Sequence, residues 1–297
     1  MFTTRRTAAA LMVLAAALNP AFGGPLTGTP PGLLVSTQWV EDNLATITLV
    51  DVRDPGPHAT AHLPGAVDVK WKAFSDPAAA HPGNLNPDRA KLAQMLGALG
   101  ISADRTVVIY SDPLRSWGEE GRMFWMLELL GHKQVAVMDG GFPKWLAEKR
   151  WVQSGAVAPR PATFVPAPVP ERQIGWQEIQ KRLHDPTLAL IDTRTLEEYK
   201  GATPYGEARG GHIPGAIHLQ WDTLLYPSGS FLSKPKLQAA LAAQGLVPGR
   251  QNACYCTGGI RSGFVYFALR YAGYPRECNY DGSMWEWASH PELPLEK

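Results

Sequence analysis

The chain has 297 residues, 45% of them apolar and 19% charged, and its formal net charge is +1. This length accommodates two domains of ordinary size, and the composition is typical of a globular protein. A charge balance so close to neutral, without a run of basic residues, argues against a protein that binds nucleic acid or an acidic surface.

The N-terminal segment differs in composition from the rest of the chain. Arg5 and Arg6 precede a short apolar run that Pro20 interrupts, and Ala21-Phe22-Gly23 fits a small-x-small cleavage site. We therefore predict a signal peptide over residues 1–23, a periplasmic or secreted protein, and no membrane span after cleavage. An uncleaved membrane anchor is the alternative, although the run is short for a span of roughly 20 residues. The arginine pair leaves the export route, Sec or twin-arginine, open.

Three sequence landmarks occur twice in the chain and in the same order. They are Leu49–Arg53 with Leu190–Arg194, His62–Trp71 with His212–Trp221, and Met138–Trp145 with Tyr280–Trp287. A repeat of this length indicates a duplicated domain and not a solenoid. The segment between the copies is rich in Pro and Ala, as is typical of an extended linker. We place the first domain at 32–150, the linker at 151–171 and the second domain at 172–297.

Apolar strands alternate with helical patterns along both halves. In the first half we predict strands at 47–53, 106–111 and 134–140, and helices at 87–100 and 121–131. In the second half we predict strands at 188–194, 252–256 and 276–282, and helices at 234–246 and 262–273. This alternation predicts an α/β fold in which each domain has a mostly parallel sheet with helices on both faces. Ligands of such folds bind at the carboxyl ends of the strands.

One such strand end, at Cys256, carries the chemistry of an anion site. The loop from Thr257 to Ile260 contains two glycines, whose backbone N–H groups can turn inward, and the following helix adds its positive N-terminal dipole. Arg261 adds a full charge. A cysteine there would have a lowered pKa and could attack an anionic substrate. The alternative is an inert buried cysteine.

The other two cysteines are better explained as structural residues. Cys254 lies in the same predicted strand, and Cys278 lies in the next one. A thiol-exchange protein that uses Cys254 with Cys256 is a rival hypothesis, but the C-Y-C spacing lacks the two-residue spacer of such proteins. A redox role for Cys254 or Cys278 stays open.

The repeated order D-x-R, H-[IL]-P-G-A and D-G-[GS]-x-x-x-W resembles the rhodanese family, and the resemblance covers nearly the whole chain. It implies two tandem rhodanese-like domains in a thiosulfate-type sulfurtransferase, of which the second is catalytic. The first half fits a non-catalytic copy: it has no cysteine, and Ser111 or Asp112 stands where Cys256 stands in the second. Its longer loop, Pro113–Glu120, is not expected to form an anion cradle.

The resemblance also implies a reaction. The loop spacing C-x4-R is that of the sulfurtransferases, whereas phosphatase and arsenate-reductase relatives have C-x5-R. Cys256 would take sulfur from an anionic donor as a persulfide, release sulfite, and pass the sulfur to cyanide or a thiol. Thiosulfate is the preferred donor because Arg261 closes the loop. Mercaptopyruvate is the alternative, because the family's mercaptopyruvate enzymes use an arginine from the region of Arg209.

The predicted site residues are one nucleophile and a set of substrate-binding groups. Cys256 is the predicted catalytic residue, and the substrate-binding residues are Thr257, Gly258, Gly259, Ile260, Arg261, Ser262, Arg194 and Arg209. Arg194 has a second interpretation, a buried pair with Asp192 that fixes loops. His62 and His212 occur in both copies and are interpreted as turn residues.

The reaction predicts neither a metal nor an organic cofactor. The expected partners are a small-molecule sulfur donor and a thiol or cyanide acceptor. A periplasmic persulfide carrier that hands sulfur only to a sulfur-accepting protein is a further alternative.

Overall fold

The structure is a computed structural model that describes residues 28–297. The predicted signal peptide, residues 1–23, lies outside the described residues. Two parallel sheets account for the strands of the two halves. Within residues 28–297, no helix is long and apolar enough to cross a membrane.

The first half folds around a five-stranded parallel sheet, in the order β1-β5-β4-β2-β3. Its strands are β1 (Leu34–Val35), β2 (Thr48–Asp51), β3 (Val67–Asp68), β4 (Val107–Tyr110) and β5 (Val135–Met138). Its helices are α1 (Thr37–Asn43), α2 (Pro55–Thr60), α3 (Arg89–Ala98), α4 (Glu119–Leu129) and α5 (Gly141–Ala147), with a 3-10 turn at Trp71–Phe74. The central strands are rich in Val and Ile and are buried on both faces, as expected for a covered parallel sheet.

The second half repeats this arrangement around a four-stranded parallel sheet, in the order β7-β6-β8-β9. Its strands are β6 (Leu188–Asp192), β7 (Ile217–His218), β8 (Gln251–Tyr255) and β9 (Glu277–Asn279). Its helices are α6 (Trp176–Lys181), α7 (Leu196–Tyr199), α8 (Lys234–Ala243), α9 (Ile260–Ala272) and α10 (Ser283–Trp287), with 3-10 turns at Pro170–Arg172 and Trp221–Leu224.

The predicted fold class is confirmed, and each predicted strand and helix is present, with bounds that are either shorter or shifted by one or two residues. The predictions missed short elements such as β1, β3 and β7, which are two residues long and too brief to show a hydrophobic period. Helix α9 ends where predicted, because Gly273 takes the left-handed conformation and caps it.

The two halves meet where α4 of the first packs against α9 of the second. A Cβ added to Gly121 would overlap the backbone of Phe264, and one added to Gly263 would lie 2.7 Å from Arg122 Cα. Side chains then interlock further along the helices, with the rings of Phe124 and Phe267 4.9 Å apart. Because both glycines lie near the helix starts, the crossing brings the loop before α9 against the first half.

The predicted linker packs on the first half as an extended chain. Phe164 is buried, and the backbone N–H of Ala162 donates to Gly97 O at 2.8 Å. Further along, Ala167 N donates to Leu130 O at 2.9 Å. The segment is therefore attached to α3 and α4 at several points.

Candidate active site

The backbone of Cys256 is fixed at the end of β8 by the turn that leads into α10. Cys256 N donates to Ser283 Oγ at 3.1 Å, and Ser283 Oγ donates in turn to Tyr280 O at 2.7 Å. Met284 N donates to Cys256 O at 3.1 Å. The cysteine is therefore held by backbone and hydroxyl groups from the neighbouring strand end, at the carboxyl edge of the sheet.

The Sγ atom of Cys256 lies within a ring of hydrogen-bond donors. Gly259 N is 3.1 Å from Sγ, and Ser262 Oγ is 3.7 Å from it. Gly259 adopts φ +83, a left-handed conformation that favours glycine, and it caps the N-terminus of α9. Sγ thus faces the positive end of a 13-residue helix. The loop has the donor geometry that the sequence predicts.

The pKa of Cys256 lies below the ordinary value for a thiol. Burial by itself would raise it, but the charge of Arg261 and hydrogen bonds from Ser262 and the Gly258 N–H favour the thiolate and outweigh burial. Cys254 and Cys278 are equally buried. Gln251 Nε2 donates to Cys278 Sγ at 3.6 Å, but burial outweighs this bond and raises the pKa of both thiols, that of Cys278 to about 12. All three thiols are free, and of the three only Cys256 has an environment suited to a nucleophile.

Arg261 is held in a buried ion pair with Glu198. Its Nη1 and Nη2 atoms lie 2.7 Å from Glu198 Oε2 and Oε1, and Nη2 also donates to Thr257 Oγ1 at 2.8 Å. Glu198 is fixed in place because it forms the capping box of α7 with Thr195. Arg261 therefore contributes a rigidly placed charge beside the cysteine, and its attraction to anions is partly offset by Glu198. Glu198 was not among the predicted site residues, although the T-x-x-E capping pattern at Thr195–Glu198 is visible in the sequence.

Arg194 does not reach the site. It is completely buried, its Nη2 atom lies 2.6 Å from Asp192 Oδ2, and the same nitrogen donates to Gly211 O at 2.8 Å. The first half contains the same arrangement, in which Arg53 pairs with Asp51 at 2.6 Å. The first half keeps this Asp–Arg pair although it has no cysteine. The substrate-binding role expected for Arg194 is therefore corrected to the alternative interpretation, a buried pair with Asp192 that fixes the loops.

Arg209 also lies away from the predicted pocket mouth. Its guanidinium donates to the carbonyl oxygens of Ala288, Leu293 and His290, at 3.0, 2.9 and 2.6 Å. These contacts tie the C-terminal segment, residues 287–297, to the rest of the second domain. The expectation that Arg209 contacts substrate is therefore corrected, because its guanidinium is bound to backbone carbonyls of residues 287–293 and Arg209 does not line the cavity at Cys256.

The cysteine loop opens into a cavity of about 510 Å³ that both halves line. The second half contributes the loop itself, Tyr205 and Trp285. Trp285 lies over Gly258, where a Cβ would overlap the indole ring. The first half contributes Asp54, Lys70, Trp71, Lys72, Trp117 and Glu119. Sequence reasoning placed no residue of the first half at the site, because such contacts depend on how the halves dock.

Arg122, from the first half, supports the loop from behind. Its Nη1 donates to Gly259 O at 3.3 Å and its Nη2 to Gly83 O at 2.8 Å. A Cβ on Gly259 would lie 2.5 Å from Arg122 Nη1, so the loop and the guanidinium leave no room for a larger residue. Two features therefore require glycine at position 259: its positive φ and the close approach of Arg122.

Comparison with known families finds the same two halves. The model of the Rhodanese-like domain matches residues 36–148 and again residues 176–290. The chain belongs to the rhodanese family. This confirms the resemblance drawn from the repeated motifs and the predicted pair of tandem rhodanese-like domains.

Curated members of the rhodanese family match most of this chain. The thiosulfate sulfurtransferase of Pseudomonas aeruginosa is 34% identical over 256 residues, which cover 84% of this chain and 91% of that protein. The sulfur carrier protein TtuD of Thermus thermophilus is 32% identical over 286 residues, which cover 90% of this chain and 97% of that protein.

Solved structures of similar shape show the same fold. The wild-type structure of EanB is 24% identical in sequence, with a TM-score of 0.80. The match covers 89% of this chain and 69% of the EanB chain. The 3-mercaptopyruvate sulfotransferase SseA of Escherichia coli is 24% identical in sequence, with a TM-score of 0.76. The match covers 85% of this chain and 98% of the SseA chain.

The first rhodanese-like domain has acids where the second has its cationic loop. Ser111 follows β4 as Cys256 follows β8, and it accepts a backbone bond from Phe142 at 2.8 Å. When α4 is aligned with α9 through their crossing glycines, Glu119 stands at the position of Arg261. Burial raises the pKa of the neighbouring Glu120 to about 7. The loop after β4 thus has neither the thiol of Cys256 nor an arginine at the position of Arg261, as the prediction of a non-catalytic first domain requires.

Proposed function

We propose that this protein transfers the outer sulfur of thiosulfate, through a persulfide on Cys256, to cyanide or a thiol. The observation that carries the proposal is the Cys256 thiol, whose pKa is lowered and whose Sγ faces the donors of the loop before α9. Relatives named thiosulfate sulfurtransferase, at 34% and 32% identity over most of the chain, support the same donor.

The first half-reaction is a displacement at sulfur. The Cys256 thiolate attacks the outer sulfur of thiosulfate, a new S–S bond forms, and the old S–S bond breaks with its electron pair on the departing sulfite. Charge is conserved, and no oxidant or reductant is required. The N–H groups of the loop and the helix N-terminus are placed to stabilise negative charge on the persulfide and the leaving group.

The second half-reaction returns the enzyme to its starting state. A thiolate or cyanide attacks the outer persulfide sulfur, and Cys256 leaves as a thiolate, a good leaving group because its pKa is low. The two half-reactions predict ping-pong kinetics. Arg261 stabilises the thiolate in both half-reactions, while Glu198 keeps its guanidinium in place.

A persulfide carrier is the second candidate. The observation that favours it is the 32% identity to the protein named sulfur carrier TtuD, over 90% of this chain. Such a carrier would use the same cysteine and donate only to a protein. Mercaptopyruvate as donor loses its main support, because Arg209 is bound to the C-terminal segment.

The decisive experiment measures the persulfide directly. Purified protein is incubated with thiosulfate or mercaptopyruvate and weighed for the addition of one sulfur atom, and the rate is followed for each donor. Cys256→Ser should form no adduct, whereas Cys278→Ser, the matched control in the neighbouring strand, should form it at the wild-type rate. Turnover by Cys256→Ser would contradict the proposal, and an adduct that only a protein acceptor removes would favour the carrier.

We also propose that the protein is exported. The proposal rests on the signal-peptide pattern of residues 1–23. Fractionation of a bacterial cell expressing the full chain should find it in the periplasm or medium, shortened near Gly23. A full-length protein in the cytoplasm would contradict this.

A further inference from the structure

Arg122, on α4 of the first rhodanese-like domain, is a buried cation without an ion-pair partner. Only 3% of its surface is exposed. Its guanidinium donates to the carbonyl oxygens of Gly83 and Gly259 and lies 4.5 Å from the ring centroid of Trp125. No carboxylate of residues 28–297 forms an ion pair with it. Because a buried charge without a partner carries a large desolvation cost, its presence here points to a role beyond packing.

The fold itself does not require a charge at this position. When α4 and α9 are aligned through their crossing glycines, Gly121 and Gly263, Arg122 stands where α9 has Phe264. Phe264 is fully buried and packs against other aromatic rings at the crossing. One copy of the domain therefore fills this position with an apolar ring and the other copy with a guanidinium. Packing alone is served at least as well by an apolar side chain.

The helix crossing places the guanidinium directly behind the loop Cys256–Arg261. Arg122 Nη1 lies 2.5 Å from the position of a Cβ added to Gly259, and Gly259 N lies 3.1 Å from Cys256 Sγ. Since the nitrogen and the Cβ of one residue are roughly 2.5 Å apart, these contacts place Nη1 within about 8 Å of Sγ. Both groups are almost completely excluded from solvent, so water screens their attraction only weakly.

The charge of Arg122 is directed towards two anionic groups, Cys256 and Asp281. Burial lowers the pKa of Arg122, and the negative charges of Asp281 and the Cys256 thiolate oppose this effect. An arginine stays protonated in a protein even when it is buried. Both oxygens of Asp281 already accept hydrogen bonds, from Leu85 N at 2.7 Å and from Gln173 Nε2 at 3.0 Å. The thiolate is therefore the anion beside Arg122 that still gains from its charge.

Other charged groups also surround the thiolate. Arg261 is the nearest cation on the catalytic helix, but Glu198 partly offsets its charge through a two-pronged ion pair. Acids and bases in equal number line the cavity on the other side of the loop: Asp54, Lys70, Lys72 and Glu119. Their charges oppose one another, whereas no carboxylate contacts the guanidinium of Arg122.

We propose that Arg122 is a positioning residue that the first domain supplies to the active site, where its charge stabilises the Cys256 thiolate through the loop. The inference deepens the proposed function and rests on it for the role of Cys256. The hydrogen bond from Arg122 to Gly259 O also helps to direct Gly259 N–H towards Sγ. The first domain has no nucleophile of its own, yet it contributes to the reactivity of the nucleophile in the second.

The size of the effect follows from the geometry. A unit positive charge about 8 Å from the thiolate, at an effective dielectric constant of about 20, changes the thiol–thiolate equilibrium about tenfold or more. Removal of the charge should therefore raise the pKa of Cys256, and the thiolate should form only at higher pH. Asn279 Nδ2 also donates to Gly259 O, at 3.2 Å, so the loop keeps one anchor when Arg122 is replaced.

A pH titration of the ultraviolet absorbance of the thiolate tests this without any sulfur donor. The wild type is compared with Arg122→Gln and Arg122→Lys, and the titration of Cys256→Ser is subtracted from each so that only Cys256 contributes. We expect the thiolate fraction on the acidic side of the transition to fall about tenfold in Arg122→Gln. Arg122→Lys, which restores the charge, should lie closer to the wild type than to Arg122→Gln.

Arg89→Gln is the matched control. Arg89 also belongs to the first domain and faces Asp281 without an ion pair, but it donates to Gln173 Oε1 at 3.2 Å and not to the loop. Its replacement should leave the titration of Cys256 unchanged. Should Arg122→Gln not fold, as judged by urea unfolding, Arg122→Met takes its place, because α9 has an apolar residue at the same position.

The outcomes separate the charge of Arg122 from a structural role. A wild-type titration in the uncharged variant, or equal displacements in the uncharged variant and Arg122→Lys, would overturn the proposal. The acidic limb of kcat/KM for thiosulfate should move in the same direction as the titration, whereas damage to the loop would lower kcat/KM without moving the limb. Failure of thiosulfate to load Cys256 in the wild type would instead overturn the proposed function, and the titration would still decide the role of Arg122.

Discussion

The ion pair between Arg261 and Glu198 allows the stability of the active site to be separated from its reactivity. Three variants form a cycle: Arg261→Gln, Glu198→Gln, and the two together. The pair is buried, with side-chain exposures of 4% and 2%, and both guanidinium nitrogens are bonded at 2.7 Å. Each single substitution leaves one charge buried without its partner, while the double substitution leaves two neutral amides.

The expected cost follows from that burial. Removal of one partner of a buried pair costs about 3–5 kcal/mol of the free energy of unfolding, because the remaining charge is uncompensated. The double variant should lose only about 1–2 kcal/mol, since two amides can still share a hydrogen bond. The reactivity should follow a different order. Both variants that lack the guanidinium lose the charge that lowers the pKa of Cys256, so the thiolate should form only at higher pH.

The assay combines urea unfolding with the pH dependence of kcat/KM for thiosulfate. The thiolate fraction falls as the pH falls through the pKa of Cys256, so the acidic limb of the profile reports that pKa. We expect the limb to move to higher pH in Arg261→Gln and in the double variant, with kcat/KM near neutral pH reduced about tenfold or more. A double variant as unstable as Arg261→Gln, or a limb that does not move when the guanidinium is removed, would refute this reasoning.

Three further predictions follow from the same contacts. Arg209→Ala should lower the free energy of unfolding by about 2–4 kcal/mol, because several carbonyls of the C-terminal segment lose a charged donor, and KM for thiosulfate should not change. Gly121→Ala should lower the free energy of unfolding, measured in urea, by about 1–3 kcal/mol, because the added methyl overlaps Phe264 at the helix crossing. Iodoacetamide should modify one thiol of the folded protein below pH 8 and leave Cys254 and Cys278 unmodified, because burial raises the pKa of both.

Each of these predictions has an outcome that would contradict it. A raised KM with unchanged stability in Arg209→Ala would return that arginine to the substrate site. A Gly121→Ala protein as stable as the wild type would show that the helix crossing can relax. Gly97→Ala is the control, because its added methyl meets Ala162 O of the linker and so tests the same kind of close contact away from the domain interface. Peptide mapping that finds label on Cys278 in the folded protein would contradict its interpretation as an inert core thiol.

Much of this protein could be read from the sequence because the information is local or repeated. Strand and helix periods gave the α/β class, and the duplicated landmarks showed two domains of one kind. The loop from Cys256 to Arg261 could be assigned for a local reason: its donors, its glycines and the start of α9 are consecutive in the chain. The contrast with Ser111 in the other copy then predicted that the second half, and not the first, is catalytic.

Tertiary structure alone decided which distant groups meet that loop. Arg194 and Arg209 have the charge expected of substrate ligands, but their donors are taken by Asp192 and by C-terminal carbonyls. The ion-pair partner of Arg261 is Glu198, which lies more than 60 residues earlier in the chain. The first domain contributes Lys70 and Lys72 to the lining of the cavity. Charge and residue type are visible in a sequence, whereas the partner that neutralises a charge is fixed only when the chain packs, because that partner can come from any part of it.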